Sequence, residues 1–306
     1  MKPGVNRILI TGAGGFIGSG LLRKLAQAPN TKVFGSYKSV SGPDSVSFPC
    51  DLMDSQALSE LIDFIKPTTV VQAAGVRPQK STGFAVDGDL KIAQNLLMAL
   101  RRTRVKPNLI AIGSCAEYGA AASPYLEETN PLPSTPYGQS KFKATEFLLN
   151  QSQVDNQPVI LIRPSVVYGE GQPADMFIPS LISAIRQNRK VLASPGFQKR
   201  DFVHVEDVVD AIVACLEFSA GWNGMVLNIA TGQSRSLREV ADVISKQVGR
   251  PVDEFVDFGA FAYSANEVMD YRVSVSKAEN IIKWTPKITL ESGIQRILKA
   301  AGDGDQ

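Results

Sequence analysis

Apolar and polar positions in the first half of the chain follow two alternating periods. Ile8-Leu9-Ile10 is a short continuous apolar run that ends at a glycine cluster. After it, Phe16, Ile17, Leu21, Leu22 and Leu25 fall at helical spacing up to a stop at Pro29-Asn30. The alternation continues with a strand at 33–34, a helix at 58–65, a strand at 69–74, a helix at 92–100, a strand at 109–112, a helix at 142–149 and a strand at 159–162. Continuous apolar strands separated by amphipathic helices predict an α/β fold, a doubly wound parallel sheet covered on both faces. After Pro164 the pattern loosens, with Gly169, Gly171, Pro173 and Pro179 close together. A helix at 205–218 and a strand at 226–229 follow. Ser236-Leu237-Arg238-Glu239 has the capping-box form before another helix. The tail from Pro251 reads as aromatic-rich and irregular, so a smaller lobe made of later segments accompanies the sheet domain.

Composition narrows the function classes. The chain has 306 residues, 32 Lys+Arg against 30 Asp+Glu, three cysteines and one histidine. A net charge of +2 without basic runs gives no footprint for nucleic acid or an anionic membrane. Cys50, Cys115 and Cys215 are scattered without CxxC spacing, which excludes a disulfide framework and a cysteine zinc site. A single histidine excludes two-histidine metal sites, and no metal is expected. No stretch reaches the roughly 18 apolar residues of a membrane helix. Met1 to Arg7 carries no apolar leader, so the expected location is cytoplasmic.

Thr11-Gly12-Ala13-Gly14-Gly15-Phe16-Ile17-Gly18 carries G-x-x-G-x-x-G directly after a strand and opening a helix. Small residues let the backbone approach a pyrophosphate, whose charge sits at the helix N-terminus. Gly12, Gly15, Phe16, Ile17 and Gly18 are the expected cofactor contacts; the bland alternative is a glycine-rich turn without ligand. The second strand ends in Val33-Phe34-Gly35-Ser36-Tyr37-Lys38, with no acid to hold a ribose 2′-hydroxyl. Ser36 and Lys38 are placed to receive a 2′-phosphate, which favours NADP over NAD; otherwise Lys38 is a solvated surface lysine.

Tyr137-Gly138-Gln139-Ser140-Lys141 sits at the start of a helix, and i, i+4 spacing puts phenol and ammonium on one face. A neighbouring ammonium favours phenolate and brings the tyrosine toward proton transfer at working pH. Such pairs are common on helix surfaces, and this one gains weight from the upstream glycine loop and from Ser114 at the end of the fourth predicted strand. Ligands of open α/β sheets bind beyond the carboxyl ends of the strands, where Ser114 can hydrogen-bond a substrate oxygen. Its alternative role is a turn cap.

TGAGGFIG, Asp51-Leu52, Ala73-Ala74-Gly75, Ser114, Tyr137/Lys141, Arg163-Pro164-Ser165-Val166-Val167-Tyr168-Gly169 and Arg200-Asp201-Phe202-Val203-His204-Val205-Glu206-Asp207 together resemble the extended short-chain dehydrogenases/reductases. These are the nucleotide-sugar epimerases, dehydratases and reductases, and the resemblance spans essentially the whole chain. It implies a Rossmann-type cofactor domain (1–165 plus 201–230) and a C-terminal lobe for the sugar nucleotide (166–200 plus 231–306). It implies adenine contacts for Asp51 and Leu52, cofactor contacts for Ala73, Ala74, Gly75 and Pro164, and proton transfer by Tyr137. Lys141 would hold the ribose, Ser114 would polarise the reacting C–O beside Cys115, and Arg200 would face the substrate's nucleotide or diphosphate. Where the family carries Asn in V-N-x-x-G-T, ungapped alignment gives Asp89, with Asp87 the other candidate, and that role is left unassigned. Relatives dimerise through two helices; those at 89–100 and 137–149 imply a homodimer.

Within the family, 4,6-dehydratases carry an acid pair just after the Ser/Thr. Here Cys115 and Ala116 stand there, with Glu117 one position on, which argues against elimination of water. A 3,5-epimerase/4-reductase needs a Cys/His pair, and His204, the one histidine, reads as a packed residue beginning a helix. A 4-ketoreductase using NADPH and a 4-epimerase using tightly bound NAD remain, and the missing acid after the second strand favours the reductase. So does similarity of Phe258-Gly259-Ala260, Asn266-Glu267-Val268-Met269 and Ile282-Lys283-Trp284-Thr285-Pro286 to 4-ketoreductases of deoxyhexose nucleotides. Those relatives often have an arginine near Ser264, for which Arg272 or Arg200 would substitute. The expected reaction is reduction of the C4 keto group of a nucleotide-activated 4-keto-6-deoxyhexose. The alternatives are an NDP-hexose 4-epimerase and a non-catalytic NADP-binding regulator.

Overall fold

The computed structural model describes residues 5–38, 46–76, 87–218 and 221–302; Met1 to Gly4, part of the segment read as carrying no leader, lie outside the described residues. In chain order the elements are β1 (Asn6–Thr11), α1 (Phe16–Leu25), β2 (Thr31–Tyr37), β3 (Ser47–Pro49), α2 (Ser55–Ile65), β4 (Thr69–Gln72), α3 (Gly88–Arg101), β5 (Asn108–Ile112), α4 (Pro136–Asp155) and β6 (Val159–Pro164). After these come β7 (Val166–Tyr168), α5 (Phe177–Arg186), β8 (Val191–Ala193), β9 (Lys199–His204), α6 (Val205–Glu217), β10 (Asn223–Ile229), β11 (Ser234–Ser236), α7 (Leu237–Val248), β12 (Val256–Phe258), α8 (Ser276–Ile282) and α9 (Leu290–Gly302). A 3-10 turn, Cys115–Glu117, follows β5, and another, Val252–Glu254, precedes β12.

Seven strands form one sheet in the order β10-β6-β5-β4-β1-β2-β3. The pairs from β3 to β6 are all parallel. The chain runs outward from β1 to β3 and then restarts at β4 on the other side of β1. This reversal leaves a crevice beyond the carboxyl ends of β1 and β4, where doubly wound sheets take ligands. The central strands bury residues on both faces, as their unbroken apolar runs require: Ile8, Leu9 and Ile10 on β1, and Val159 to Ile162 on β6, are all buried. Leu9, Leu58, Ile62, Val70, Leu96, Leu109 and Leu161 belong to one core cluster that packs α2 and α3 on the sheet.

Compactness divides the chain into two units, 1–119 with 131–163 and 209–227, and 120–130 with 164–208 and 228–306. Residues 201–208, assigned to the first domain on the sequence, fall in the second because β9 pairs with β7 and β11 in a separate three-stranded sheet. A two-stranded sheet of β8 and β12 and the helices α5, α7 and α9 complete the second unit's core, built on Tyr168, Leu181, Ile244, Phe255 and Ile294. The tail read as irregular contains β12, α8 and α9. β3 is three residues long and carries too short a pattern to register as a strand.

Candidate functional site

At the carboxyl end of β1 the backbone turns through Gly12, whose φ of +69° suits glycine. A Cβ there would lie 2.7 Å from the Ala74 backbone nitrogen, so the glycine permits the loop to press on the segment after β4. Ala73 N–H donates to the Thr11 carbonyl (3.1 Å) and Ala13 N–H to the Ser36 carbonyl (3.0 Å), tying the ends of β1, β2 and β4 together. Gly15 caps α1 without a side-chain hydrogen bond, and the first turn, with Phe16, Ile17 and Gly18, holds no acid. The helix therefore presents its unpaired N–H groups and the positive end of its dipole to an anion. The hydroxyls of Thr11 and Ser36 are buried without hydrogen-bond partners. A left-handed glycine and an uncapped helix start fit a dinucleotide pyrophosphate.

The expected 2′-phosphate receptors separate. Ser36 is buried in the sheet, which corrects its role, because its hydroxyl faces no solvent. Lys38 has a side chain 79% exposed, with Nζ 3.8 Å from Asp51 Oδ2. Between them the Tyr37 ring folds against Gly14 and Gly35, where Cβ atoms would meet it at 3.1 Å. Leu52 is buried, and the Asn95 side-chain amide holds its loop by donating to the carbonyls of Leu52 and Met53 (2.9 and 3.0 Å).

Thr135 caps α4 by accepting the Gly138 N–H (3.1 Å), and Pro136 occupies the first turn, where its missing N–H costs nothing. Tyr137 thus sits in the first turn and Lys141 one turn later, with Nζ 6.0 Å from the phenol ring centroid. Gly138 lets this turn press on the Ala116 carbonyl, which brings Tyr137's helix onto the Ser114 segment. Ser114 is indeed a cap: its Oγ accepts the Ala116 N–H (3.1 Å). Capping uses the oxygen's lone pair and leaves the hydroxyl proton to donate, so the two roles are compatible. Cys115 is fully buried with its thiol donating to the Arg163 carbonyl (3.1 Å). That turns the sulfur inward and corrects its expected place beside substrate.

Two carboxylates that pattern reading left without a role complete this face. Asp89 is buried at the start of α3, 3.0 Å from Lys141 Nζ through Oδ1; its Oδ2 accepts the Ser140 hydroxyl (2.6 Å) and Oδ1 also the Val76 N–H (3.2 Å). Burial pushes the Lys141 pKa down, but electrostatic interaction with Tyr137 and with the Asp89 carboxylate outweighs it, and the pKa ends above its ordinary value. Glu117 is buried too. Its Oε1 accepts from the Ser114 N–H (2.9 Å) and the Thr145 hydroxyl (3.1 Å), and its Oε2 from Arg163 Nε (2.9 Å). Burial raises its pKa against the pull of Arg163. Ser114 and Glu117 form a capping box, the S-x-x-E spacing also present at Ser236–Glu239. That signal was there to be read.

In the second unit, Pro164 ends β6 and is buried. The Arg200 guanidinium pairs with Glu267, donates to the Val268 carbonyl (2.6 Å) and lies 5.6 Å from the Tyr271 ring centroid. It is therefore anchored by the Asn266-Glu267-Val268-Met269 segment. Arg272 is exposed, 3.4 Å from Asp270. His204 is fully buried, and its Nδ1 accepts the Glu206 N–H (3.2 Å) at the start of α6, which places the ring proton on Nε2. That nitrogen stands 3.2 Å from Glu170 Oε2 but out of line for a hydrogen bond. Burial lowers the His204 pKa, which favours the neutral ring.

A parallel sheet with its reversal point at β1/β4, a glycine loop opening α1 and a Ser–Tyr–Lys set on the same unit define a Rossmann-type NAD(P)-dependent enzyme. Residues 8–230 match the NAD dependent epimerase/dehydratase family, and the chain belongs to it. It is 28% identical over 306 residues to the "Putative UDP-glucose 4-epimerase" of Methanocaldococcus jannaschii, covering 95% of this chain and 97% of that one. It is 27% identical over 309 residues to the GDP-6-deoxy-D-mannose reductase of Pseudomonas aeruginosa, covering 95% and 96%. The UDP-glucuronic acid 4-epimerase of Bacillus cereus, solved with UDP-glucuronic acid and NAD, shares the fold with a TM-score of 0.86 at 24% identity over 97% of this chain and 99% of that one. Epimerases and a reductase thus stand at similar distance, which places the chain among nucleotide-sugar epimerases, dehydratases and reductases. Among the described residues no helix is long and apolar enough to cross a membrane.

Proposed function

We propose that the chain reduces the C4 ketone of a nucleotide-activated 4-keto-6-deoxyhexose with NADPH, acting as a homodimer. The observation that carries this reading is the end of β2, where Tyr37 and the exposed Lys38 stand in place of an acid. A carboxylate there would repel a 2′-phosphate, whereas an exposed ammonium attracts one. The state of Glu117 supports the reading further. Committed to Ser114, Thr145 and Arg163, it is withheld from the acid–base work of a dehydratase.

NADPH, which Gly12, Gly15 and the start of α1 would hold, would supply the hydride for C4. Ser114 donates its hydroxyl proton in a hydrogen bond to the carbonyl oxygen and stabilises the negative charge that grows there. Tyr137 transfers its phenolic proton to that oxygen, which completes the alcohol. Lys141 holds a positive charge beside the phenol and offers an N–H to the cofactor ribose.

Loss of absorbance at 340 nm, one NADPH per 4-keto sugar nucleotide, is the expected result. Tyr137→Phe should lower kcat by at least about 100-fold, and an unchanged rate rejects the reading. The second reading, a 4-epimerase with resident NAD, is favoured by the two similar epimerases. Interconversion of NDP-hexoses without added cofactor would establish it instead, and binding of NADPH with neither reaction would leave a non-catalytic regulator.

A further inference from the structure

Ungapped alignment puts Asp89, with Asp87 the other candidate, where the family resemblance implies asparagine, and the surroundings of Asp89 suit a carboxylate. Three donors converge on its side chain: the Lys141 ammonium, the Ser140 hydroxyl and the Val76 amide, at 3.0, 2.6 and 3.2 Å. A carboxylate offers lone pairs to all three. An asparagine would turn an NH2 group toward one of them and would bring no charge. The carboxylate itself is fully buried, and the Lys141 side chain is only 11% exposed, so neither charge is screened by water. Asp89 joins three segments of the first unit: the start of α3, the loop after β4 and the first turns of α4. Space is tight around the pair, since a Cβ on Gly75 would fall 2.5 Å from Lys141 Nζ and 2.9 Å from Asp89 Oδ1. Among the described residues the ammonium's other hydrogen-bond contact is the Ile112 carbonyl at 3.5 Å. With Asp89 on one side and that carbonyl on another, these partners leave one of its three N–H groups to be aimed.

We infer that Asp89 is a positioning residue that holds the buried Lys141 ammonium charged and aimed at the cofactor ribose, a task that asparagine at this place cannot perform through charge. The inference rests on the reading of Lys141 as the cofactor's partner. The groups that face Lys141 are Asp89 from α3, Tyr137 from its own helix, Glu117 from the turn after β5, and the Ile112 carbonyl. Of these, Asp89 alone both carries a charge and contacts the ammonium. Without it, the balance moves toward burial and the lysine gives up its proton more readily as pH rises.

The test is a double-mutant cycle on the full chain, read as NADPH and NADH dissociation constants by nucleotide fluorescence at pH 6.5 and pH 9. Asp89→Asn should weaken binding by about tenfold at pH 9 and by clearly less at pH 6.5, while the parent protein binds equally at both. In a Lys141→Met background the same substitution should change nothing further. An equal loss at both pH values, no loss, or a loss that persists beside Lys141→Met overturns the inference while leaving the reading of Lys141 standing. If Lys141→Met itself leaves binding unchanged, the reading of Lys141 falls and the inference with it. Should Asp89→Asn fail to fold, Ser140→Ala removes one donor from Asp89 and keeps the pair. It should weaken binding about twofold to threefold, and only when Lys141 is present.

Discussion

The first unit buries two carboxylates, each against one cation, and the two pairs differ in what the cation still has to offer. Arg163 is 4% exposed, lies 4.7 Å over the Tyr118 ring and gives its Nε to Glu117. Lys141 meets Asp89 on one side and the Ile112 carbonyl at 3.5 Å on another, close against Gly75 in the loop after β4. The first pair closes on itself and holds the turn that carries Ser114. The second is less enclosed, with the Lys141 side chain 11% exposed. A buried ion pair is weak evidence for a site; a donor left over from it is much stronger.

Breaking the closed pair should have the largest effect. Arg163→Met leaves Glu117 buried without its counter-ion and should cost about 3–5 kcal/mol in chemical denaturation. Adding Glu117→Gln should recover part of that loss, and a single-variant cost below about 1 kcal/mol would remove the distinction between the pairs.

The second unit supplies a carboxylate whose partners are neutral, which sharpens the contrast. Asp201 accepts from the Ser165 hydroxyl and from the Thr231 amide and hydroxyl at 2.8–3.2 Å, and burial pushes its pKa from 3.8 up to about 6. Between these values the folded chain holds a proton that the unfolded chain has lost. Its contribution to stability is therefore fully present below about pH 4 and disappears as pH rises through 6, about 3 kcal/mol in all. Asp201→Asn should flatten that part of the stability–pH curve, and an unchanged slope would refute the assignment.

Two capping boxes give a smaller comparison. Ser236→Ala removes the α7 cap and should cost about 1 kcal/mol with catalysis intact. Ser114→Ala should cost about as much in stability and lower kcat as well, because its hydroxyl proton is not used by the cap. Equal kcat values for the two variants would make Ser114 a cap alone. The smallest stability effect belongs to the exposed Lys38–Asp51 pair. Lys38→Ala should leave stability within about 0.5 kcal/mol while weakening NADPH against NADH by about tenfold, measured as a ratio of dissociation constants.

Much of the first unit was legible because its signals are local. The apolar runs of β1, β4, β5 and β6, the glycines at 12, 15 and 18, and the spacing of Tyr137 and Lys141 each follow from a few neighbouring residues. The second unit was harder to read. Its strands β7, β8, β11 and β12 are three residues long, shorter than a period-2 pattern needs, and they pair across long separations, as Ser234 does with Asp201. Its last helix, α9, lay in a stretch that the aromatic residues made look irregular.

The sequence by itself determined the class of the protein, since a parallel sheet, a dinucleotide loop and a Tyr–Lys pair are each written at short range. Only the tertiary structure decided which polar residues are buried and which donors surround them. Ser36 and Cys115 pass every composition test for a site and are buried, whereas Asp89 and Glu117 looked incidental and are the anchors of Lys141 and Ser114. The physical reason is that a polar group's role depends on which donors surround it and how much water they exclude. Those neighbours come from α3, α4, β6 and the turn after β5, which only folding brings together.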